Sequence, residues 1–391
     1  MSQPPGSPSL IWEVGTLSVV SGLLSGALLR LLAGMVSRSD AYGLSAGGAP
    51  REAAAREIEV RTPSRLHLGM FSFGDEQVRS YGGVGVMVDR PGIHLRMKPA
   101  TEIAAQGPLA DRAVWFAKDA ARHWDFAADE GVAIEVTSAP REHVGLGSGT
   151  QLGLAVAAGM WHLWRRAASD PQEEYFFDRS EVLDLADAVA RGKRSCVGIH
   201  GFTRGGLIVE SGRYTGEKAK KPLTRLSPMV ARVRLPSAWR CVVLVQKDAV
   251  GFWGEAERKT FAALPPVPRE ISAELARIAL LELLPAASEG SYEGFCDALC
   301  TYGALAGKPF ETASSTLPHA EAIADLIELL RELGVRGAAQ SSWGPAVMGC
   351  CKTLEQAGDV LEQLERLKIR DQFDTWIARF DNDGASVRVV A

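Results

Sequence analysis

Apolar positions repeat at two spacings along the chain. Val132, Ile134 and Val136 alternate with Ala133, Glu135 and Thr137, which predicts a half-buried strand. Leu152, Val156, Met160 and Leu163 recur at helical spacing, and the helix closes on Arg165 and Arg166, cations suited to a negative C-terminal dipole. Ser169-Asp170-Pro171 then stops it. The loop from Pro140 to Gln151 joins the two elements.

The same reading extends in both directions. Ile58 and Val60 alternate with charge, and Leu66, Leu68 and Met70 alternate with His67 and Gly69. Pro63 cannot donate to a sheet, so this strand bends there or lies on an edge. Arg65 and His67 share the face opposite the leucines. Gly82 and Gly83 predict a tight turn or bulge before a buried strand over 84–88, and Ile93, Leu95 and Met97 a further strand. A helix is expected over 110–126, and another capped by Ser180 and running to Arg191. A loop with four basic residues and five glycines, Arg191 to Gly206, leads to the strand Leu207 to Glu210.

Beyond residue 226 the pattern gives a fully buried strand over 240–246 and a helix after Gly254. Helices follow near 270–284, 289–306 and 318–333, then a strand, turn and strand across 335–350. A helix over 354–367 and a last strand near 386–390 complete the chain. Strands and helices mix without regular alternation, which predicts an α+β fold. We divide it into 1–56, 57–225 and 226–391.

A 391-residue chain is long enough for two domains, and 46% hydrophobic with 23% charged residues is ordinary for a soluble globular protein. The net charge of −4 provides no basic field for nucleic acid or an anionic membrane. The six cysteines include no Cys-x-x-Cys pair, so they read as reduced thiols of a cytoplasmic protein. Residues 17–36 are mostly apolar but interrupted by Arg30, with Glu13 and no cation ahead of it. Three readings stand for this N-terminal stretch: a disordered tail or overlong gene start, an amphipathic surface helix, and a weak membrane anchor.

The candidate chemistry centres on the loop. Gly145, Gly147 and Gly149 let a ligand approach the backbone, and free amides at a helix start favour an anion, most often phosphate. Ser148 and Thr150 are placed to cap the helix or bond a phosphate oxygen. A tight turn that binds nothing is the plain alternative. No Walker pattern follows. The basic loop after Arg191 suits a second anion contact, or is a solvated loop.

Pro63-Ser64-Arg65 with Gly69, the run Gly145-Leu146-Gly147-Ser148-Gly149, and the late turn Ser341-Ser342-Trp343-Gly344 together resemble the motifs of the GHMP kinase superfamily. Several segments narrow this to the β-ribofuranosylaminobenzene 5′-phosphate synthases. They are Thr62 to Gly69, Gly82 to Gly85, Gly145 to Gln151, Arg194 to His200, Gly254 to Glu257 with Phe261, and Gln340 to Pro345. The resemblance runs from about residue 58 to about 350. It implies a two-domain GHMP-kinase-like fold, with a glycine-loop domain followed by an α/β sandwich domain.

The implied reaction joins phosphoribosyl pyrophosphate to 4-aminobenzoate or 4-hydroxybenzoate, releasing CO2 and pyrophosphate, in methanopterin-type cofactor synthesis. Mg²⁺ is the implied cofactor, with no ligand set assigned, and a homodimer is the default assembly. Phosphate binding falls to Gly145, Leu146, Gly147, Ser148, Gly149, Thr150, Gln151 and Ser195, and chemistry to Arg65, His67, Arg194 and His200. Substrate contacts fall to Gly82, Gly83, Glu255, Glu257, Ser341, Ser342, Trp343 and Gly344. For Trp343 interdomain packing is the plain alternative, and for Glu255 and Glu257 a solvated helix start. Many superfamily kinases carry an aspartate in the segment matching 198–201. None stands there in this chain, which weakens the alternative of an ATP-dependent kinase. A non-catalytic ligand-binding member is the third reading.

Overall fold

The computed structural model describes residues 57–390 apart from 77, 165–174, 176, 217–225, 250, 252–253 and 312–319, and leaves out the side chains of 179, 256 and 257. The readings of the N-terminal stretch and of the helix end at Arg165 and Arg166 lie outside the described residues. No described helix is long and apolar enough to cross a membrane.

The first sheet begins with β1 (Ile58–Met70) and β2 (Gly83–Ala100), followed by β3 (Ala104–Gln106). Helix α1 (Ala110–His123), β4 (Gly131–Ser138), α2 (Ser148–Trp164), α3 (Arg179–Ala188), α4 (Val197–Arg204), β5 (Leu207–Glu210) and β6 (Met229–Val233) come next. The second half holds β7 (Arg240–Gln246), α5 (Gly254–Ala263) and α6 (Arg269–Ile278), which continues through a π turn into α7 (Leu284–Glu289). Then come α8 (Tyr292–Gly307), α9 (Ala320–Glu332), β8 (Gly337–Gln340), β9 (Ala346–Cys351), α10 (Leu354–Arg366), β10 (Phe373–Arg379) and β11 (Ser386–Val389).

The first sheet runs β11-β1-β2-β4-β3, with β5 on β2 and β6 on β5; the second runs β10-β7-β9-β8. β6 and the C-terminal β11 both join the first sheet, so its strands come from both sides of residue 226.

Pro63 decides how the site is built. The β1–β2 register shifts between Thr62 and Ser64, the bend that a proline in a sheet calls for. Ile58 and Val60 pack with Phe116 of α1 and with Leu152 and Val156 of α2. Leu66 and Leu68 have the same parity but pack with Val243, Phe295 and Tyr302 in another core. A one-residue slip exchanges the faces of a strand. Arg65 and His67 therefore point to the side of α2 and α4. In β7 alternation serves two cores: Val243 and Val245 join Phe295, whereas Val242 and Leu244 pack under α9 and α10. This explains its unbroken apolar run.

Three local expectations change. The segments around 84–88 and 93–97 form one long strand, β2. Asp178, not Ser180, caps α3: its carboxylate accepts from the Glu181 amide, and Glu181 reaches back to the Asp178 amide. The expected loop after Arg191 contains α4, which starts at Val197.

Candidate functional site

The loop between β4 and α2 is held by its oxygens. Val144 O accepts from Ala346 N at 3.1 Å, and Leu146 O from Arg65 N at 3.0 Å. Gly145 O accepts from Ser341 Oγ at 2.7 Å. Gly147 O accepts from the Thr150 and Gln151 amides at 3.0 and 3.1 Å. The amides of Gly147, Ser148 and Gly149 have no acceptor among the described residues. A loop fixed through its carbonyls, with amides left over at a helix start, is suited to an anion. Gly147 has φ +69°, and a β-carbon there would lie 3.2 Å from Arg65 Cβ. Glycine supplies both the backbone angle and the space for Arg65 to lie against the loop.

The turn at 341–344 clamps the loop to β1. Ser341 is fully buried; its Oγ accepts from His67 N at 2.9 Å while donating to Gly145 O. Ser342 N donates to His67 O at 2.9 Å. Ser342 has φ +56°, and its side chain is exposed. Gly344 packs against Val144 and Gly145. Two of these four residues thus position β1 and the loop rather than offering side chains to a ligand.

Behind the loop lies a relay. Ser195 Oγ donates to Glu210 Oε1 at 2.7 Å, and His67 Nε2 is 3.1 Å from Ser195 Oγ. Cys196 N donates to both Glu210 oxygens at 2.9 Å. Glu210 is fully buried, and loss of solvation pushes its carboxyl up to about 7. His67 is 2% exposed; burial first, and the Arg65 charge second, hold it well below its ordinary value, so it is neutral. His67 is therefore a positioning residue for Ser195 rather than a group at the surface of the site. Sequence reasoning passed over Glu210. The available signal was a carboxylate ending the buried run Leu-Ile-Val.

Trp343 faces an aromatic wall. Its ring stacks on Phe261 at 4.9 Å and 8°, and meets Phe310 edge-on at 4.9 Å. The Arg194 guanidinium lies 5.0 Å over the Phe261 ring. Phe261, quoted for the synthase resemblance but not among the expected site residues, is the ring that both Trp343 and Arg194 contact.

Several expected residues lie elsewhere. His200 is buried with Nε2 2.8 Å from Ser227 O. It sits two positions from Gly198, which faces Thr150, Gln151 and Arg65; two positions on a helix are about 200° apart. Gln151 is fully buried and donates to Gly198 O at 2.8 Å, tying α2 to α4. The Leu146 side chain is in the core, and Ser148 Oγ donates to Arg141 O at 3.3 Å. Gly82 and Gly83 pack against the backbones of Ser211 and Gly69, close approaches between strands. Glu255 is exposed and paired with Lys259 at 3.0 Å, and the Glu257 side chain is outside the described residues.

Among the described residues no group of three His, Cys, Asp or Glu is clustered for a metal; Glu210 accepts from Ser195 and Cys196, and Glu255 pairs with Lys259. No step below runs through a metal.

The GHMP kinases C terminal family matches residues 283–369. L. major mevalonate kinase superposes with a TM-score of 0.58 at 13% identity, covering 86% of this chain and 100% of that one. Homoserine kinase from Cytophaga hutchinsonii gives 0.53 at 13%, covering 88% and 99%. The fold is the one these kinases share, and the C-terminal match belongs to the same class. Within it, beta-ribofuranosylphenol 5′-phosphate synthase from Archaeoglobus fulgidus is 30% identical over 339 residues, 85% of this chain and 100% of that protein. The synthase from Methanothermobacter thermautotrophicus is 30% identical over 317 residues, 78% and 91%. The chain belongs to the β-ribofuranosylphenol 5′-phosphate synthase family and is an enzyme of that family.

Proposed function

We propose that the enzyme transfers the phosphoribosyl group of phosphoribosyl pyrophosphate to the carboxylate-bearing carbon of 4-hydroxybenzoate. The relatives' product is a ribofuranosylphenol, which favours the hydroxy acid over the 4-amino acid. The observation that carries the reading is the amide face of Gly147 to Gly149, flanked by Arg65, with Ser195 behind it. It suits a departing diphosphate.

The bond from the anomeric carbon to pyrophosphate breaks, and its electrons leave with pyrophosphate. The ring carbon bearing the carboxylate attacks the cationic sugar carbon and forms the carbon–carbon bond. The bond to the carboxyl carbon then breaks, CO2 departs, and its electrons restore the aromatic ring. Loss of CO2 takes the place of loss of a ring proton, so no general base is required. This agrees with a site whose carboxylate, Glu210, is locked behind Ser195. A kinase has the opposite need, because its hydroxyl acceptor must lose a proton.

Trp343 and Phe261 support an aromatic acceptor held flat, and Arg194 beside them supports one bearing a carboxylate. Absence of disulfides at all six cysteines supports a reducing, cytoplasmic setting. The test is incubation with both substrates in the absence of ATP. Equal release of CO2 and pyrophosphate is expected; product formation that consumes ATP would refute the reading.

A further inference from the structure

Two arginines not among the expected site residues converge on the start of α2. A β-carbon on Gly149 would lie 3.5 Å from Arg112 Nη2 and 3.7 Å from Arg191 Nη2. Both guanidinium groups also gather at one ring, with Arg191 4.8 Å and Arg112 5.5 Å from the centroid of Phe116. Holding two like charges together costs energy, as does burying donors without acceptors. Arg191 Nε and Nη2 are buried and have no hydrogen-bond partner. Burial first, and the Arg112 charge second, draw Arg191 down to about 10. Glu142 Oε1 lies 3.1 Å from Arg112 Nε, an ion pair without hydrogen-bond geometry. Glu142 and, to a lesser extent, Asp119 also attract Arg191, but each by less than Arg112 repels it. Arg112, Trp115 and Glu142 line an open cleft together with Asp111, so the Arg112 side of the pair is reachable from solvent.

We propose that Arg112 and Arg191 form a phosphate subsite that holds the 5′-phosphate monoester of the sugar donor throughout the reaction. This rests on the reading above that the donor carries phosphate at both ends. The loop itself assigns the ends. At Gly145 it packs against Ser341 and Gly344, next to Trp343, where the acceptor ring and the breaking bond belong. At Gly149 it meets the arginine pair. The diphosphate must therefore lie toward Arg65 and Ser195, and the phosphate that takes no part in bond breaking toward Arg112 and Arg191. Two planar guanidinium forks match a phosphate dianion and supply the acceptors that the buried donors lack.

The test is calorimetric titration of the full chain with ribose 5-phosphate and, separately, with inorganic pyrophosphate. In the wild type, saturation with one should leave binding of the other intact; competition for a single site would overturn the proposal without any variant. In Arg191→Gln and in the more exposed Arg112→Gln, affinity for ribose 5-phosphate should fall about tenfold or more, with pyrophosphate affinity kept within about threefold. Unchanged ribose 5-phosphate binding, or an equal loss for pyrophosphate, would refute this subsite while leaving the reaction assignment standing. A wild type that binds pyrophosphate nowhere would sink both.

Discussion

Ser195 donates its one hydroxyl proton to Glu210 at 2.7 Å, and this fixes the direction of the contact next to it. The Ser195 oxygen is left to accept, so His67 donates through Nε2 at 3.1 Å and keeps its lone pair on Nδ1. The carboxyl of Glu210, pushed up to about 7, is then the group that senses pH. A carboxyl raised in the folded state binds its proton more tightly there than in the unfolded chain. Its contribution is complete below the ordinary carboxylate range and is lost as pH rises through about 7. The depressed His67 works the other way, with its contribution lost as pH falls below the ordinary histidine value. Glu210→Gln should therefore remove a decline in stability between pH 4.5 and 7 of about 3 kcal/mol at most. Urea unfolding at several pH values checks this; a variant with the wild-type slope would show that Glu210 does not titrate there.

Gly147→Val tests the loop. A side chain at φ +69° is strained, and its β-carbon meets Arg65 at 3.2 Å. The Arg65 side chain must give way, and the amide face is blocked. Pyrophosphate affinity should weaken by on the order of 100-fold, the effect of losing preorganised oxyanion donors. Circular dichroism should still report a folded chain. Wild-type affinity in a folded Gly147→Val protein would remove the loop from the donor site.

The two histidines of the sequence motifs should separate. His200→Ala leaves the Ser227 carbonyl without its ring partner and should cost about 1–3 kcal/mol of stability, with KM for both substrates unchanged. His67→Leu should lower turnover by freeing Ser195, and His67→Gln, which retains a donor, should recover much of the loss. Equal damage from Gln and Leu would mean that the imidazole itself is needed.

The loop, its strand and its helix were legible because glycine spacing and apolar periodicity are local signals. The same holds for the buried strand over 240–246 and for the turn at 341–344. What was hidden depended on partners distant in sequence. His67 and His200 look alike as motif histidines, but His67 faces Ser195 from β1 while the helix after Cys196 carries His200 round to Ser227. Glu210 reads as the polar end of a strand, and its role emerges only when the 195–196 backbone folds over it. The face change at Pro63 was half visible. A bend was predictable, but that it turns Arg65 toward the loop follows from the two cores on either side of the sheet.

Trp343 is the residue whose substitution should divide acceptor from donor. Its ring is parallel to Phe261 at 4.9 Å and adjoins Phe310, with Arg194 on the same Phe261 ring. Packing alone would make Trp343→Ala a stability defect that disturbs both substrates, because the backbone of its neighbours Ser341 and Gly344 braces the loop. A role as acceptor wall makes a different demand. Removing the ring forfeits stacking worth about 0.5–1.5 kcal/mol, so KM for 4-hydroxybenzoate should rise up to about tenfold while KM for the phosphoribosyl donor stays near the wild-type value. Trp343→Phe preserves a flat face and should restore most of the acceptor affinity. Steady-state kinetics with each substrate varied in turn makes the distinction. Parallel increases in both KM values, unrelieved by phenylalanine, would assign Trp343 to packing between the loop and the second sheet.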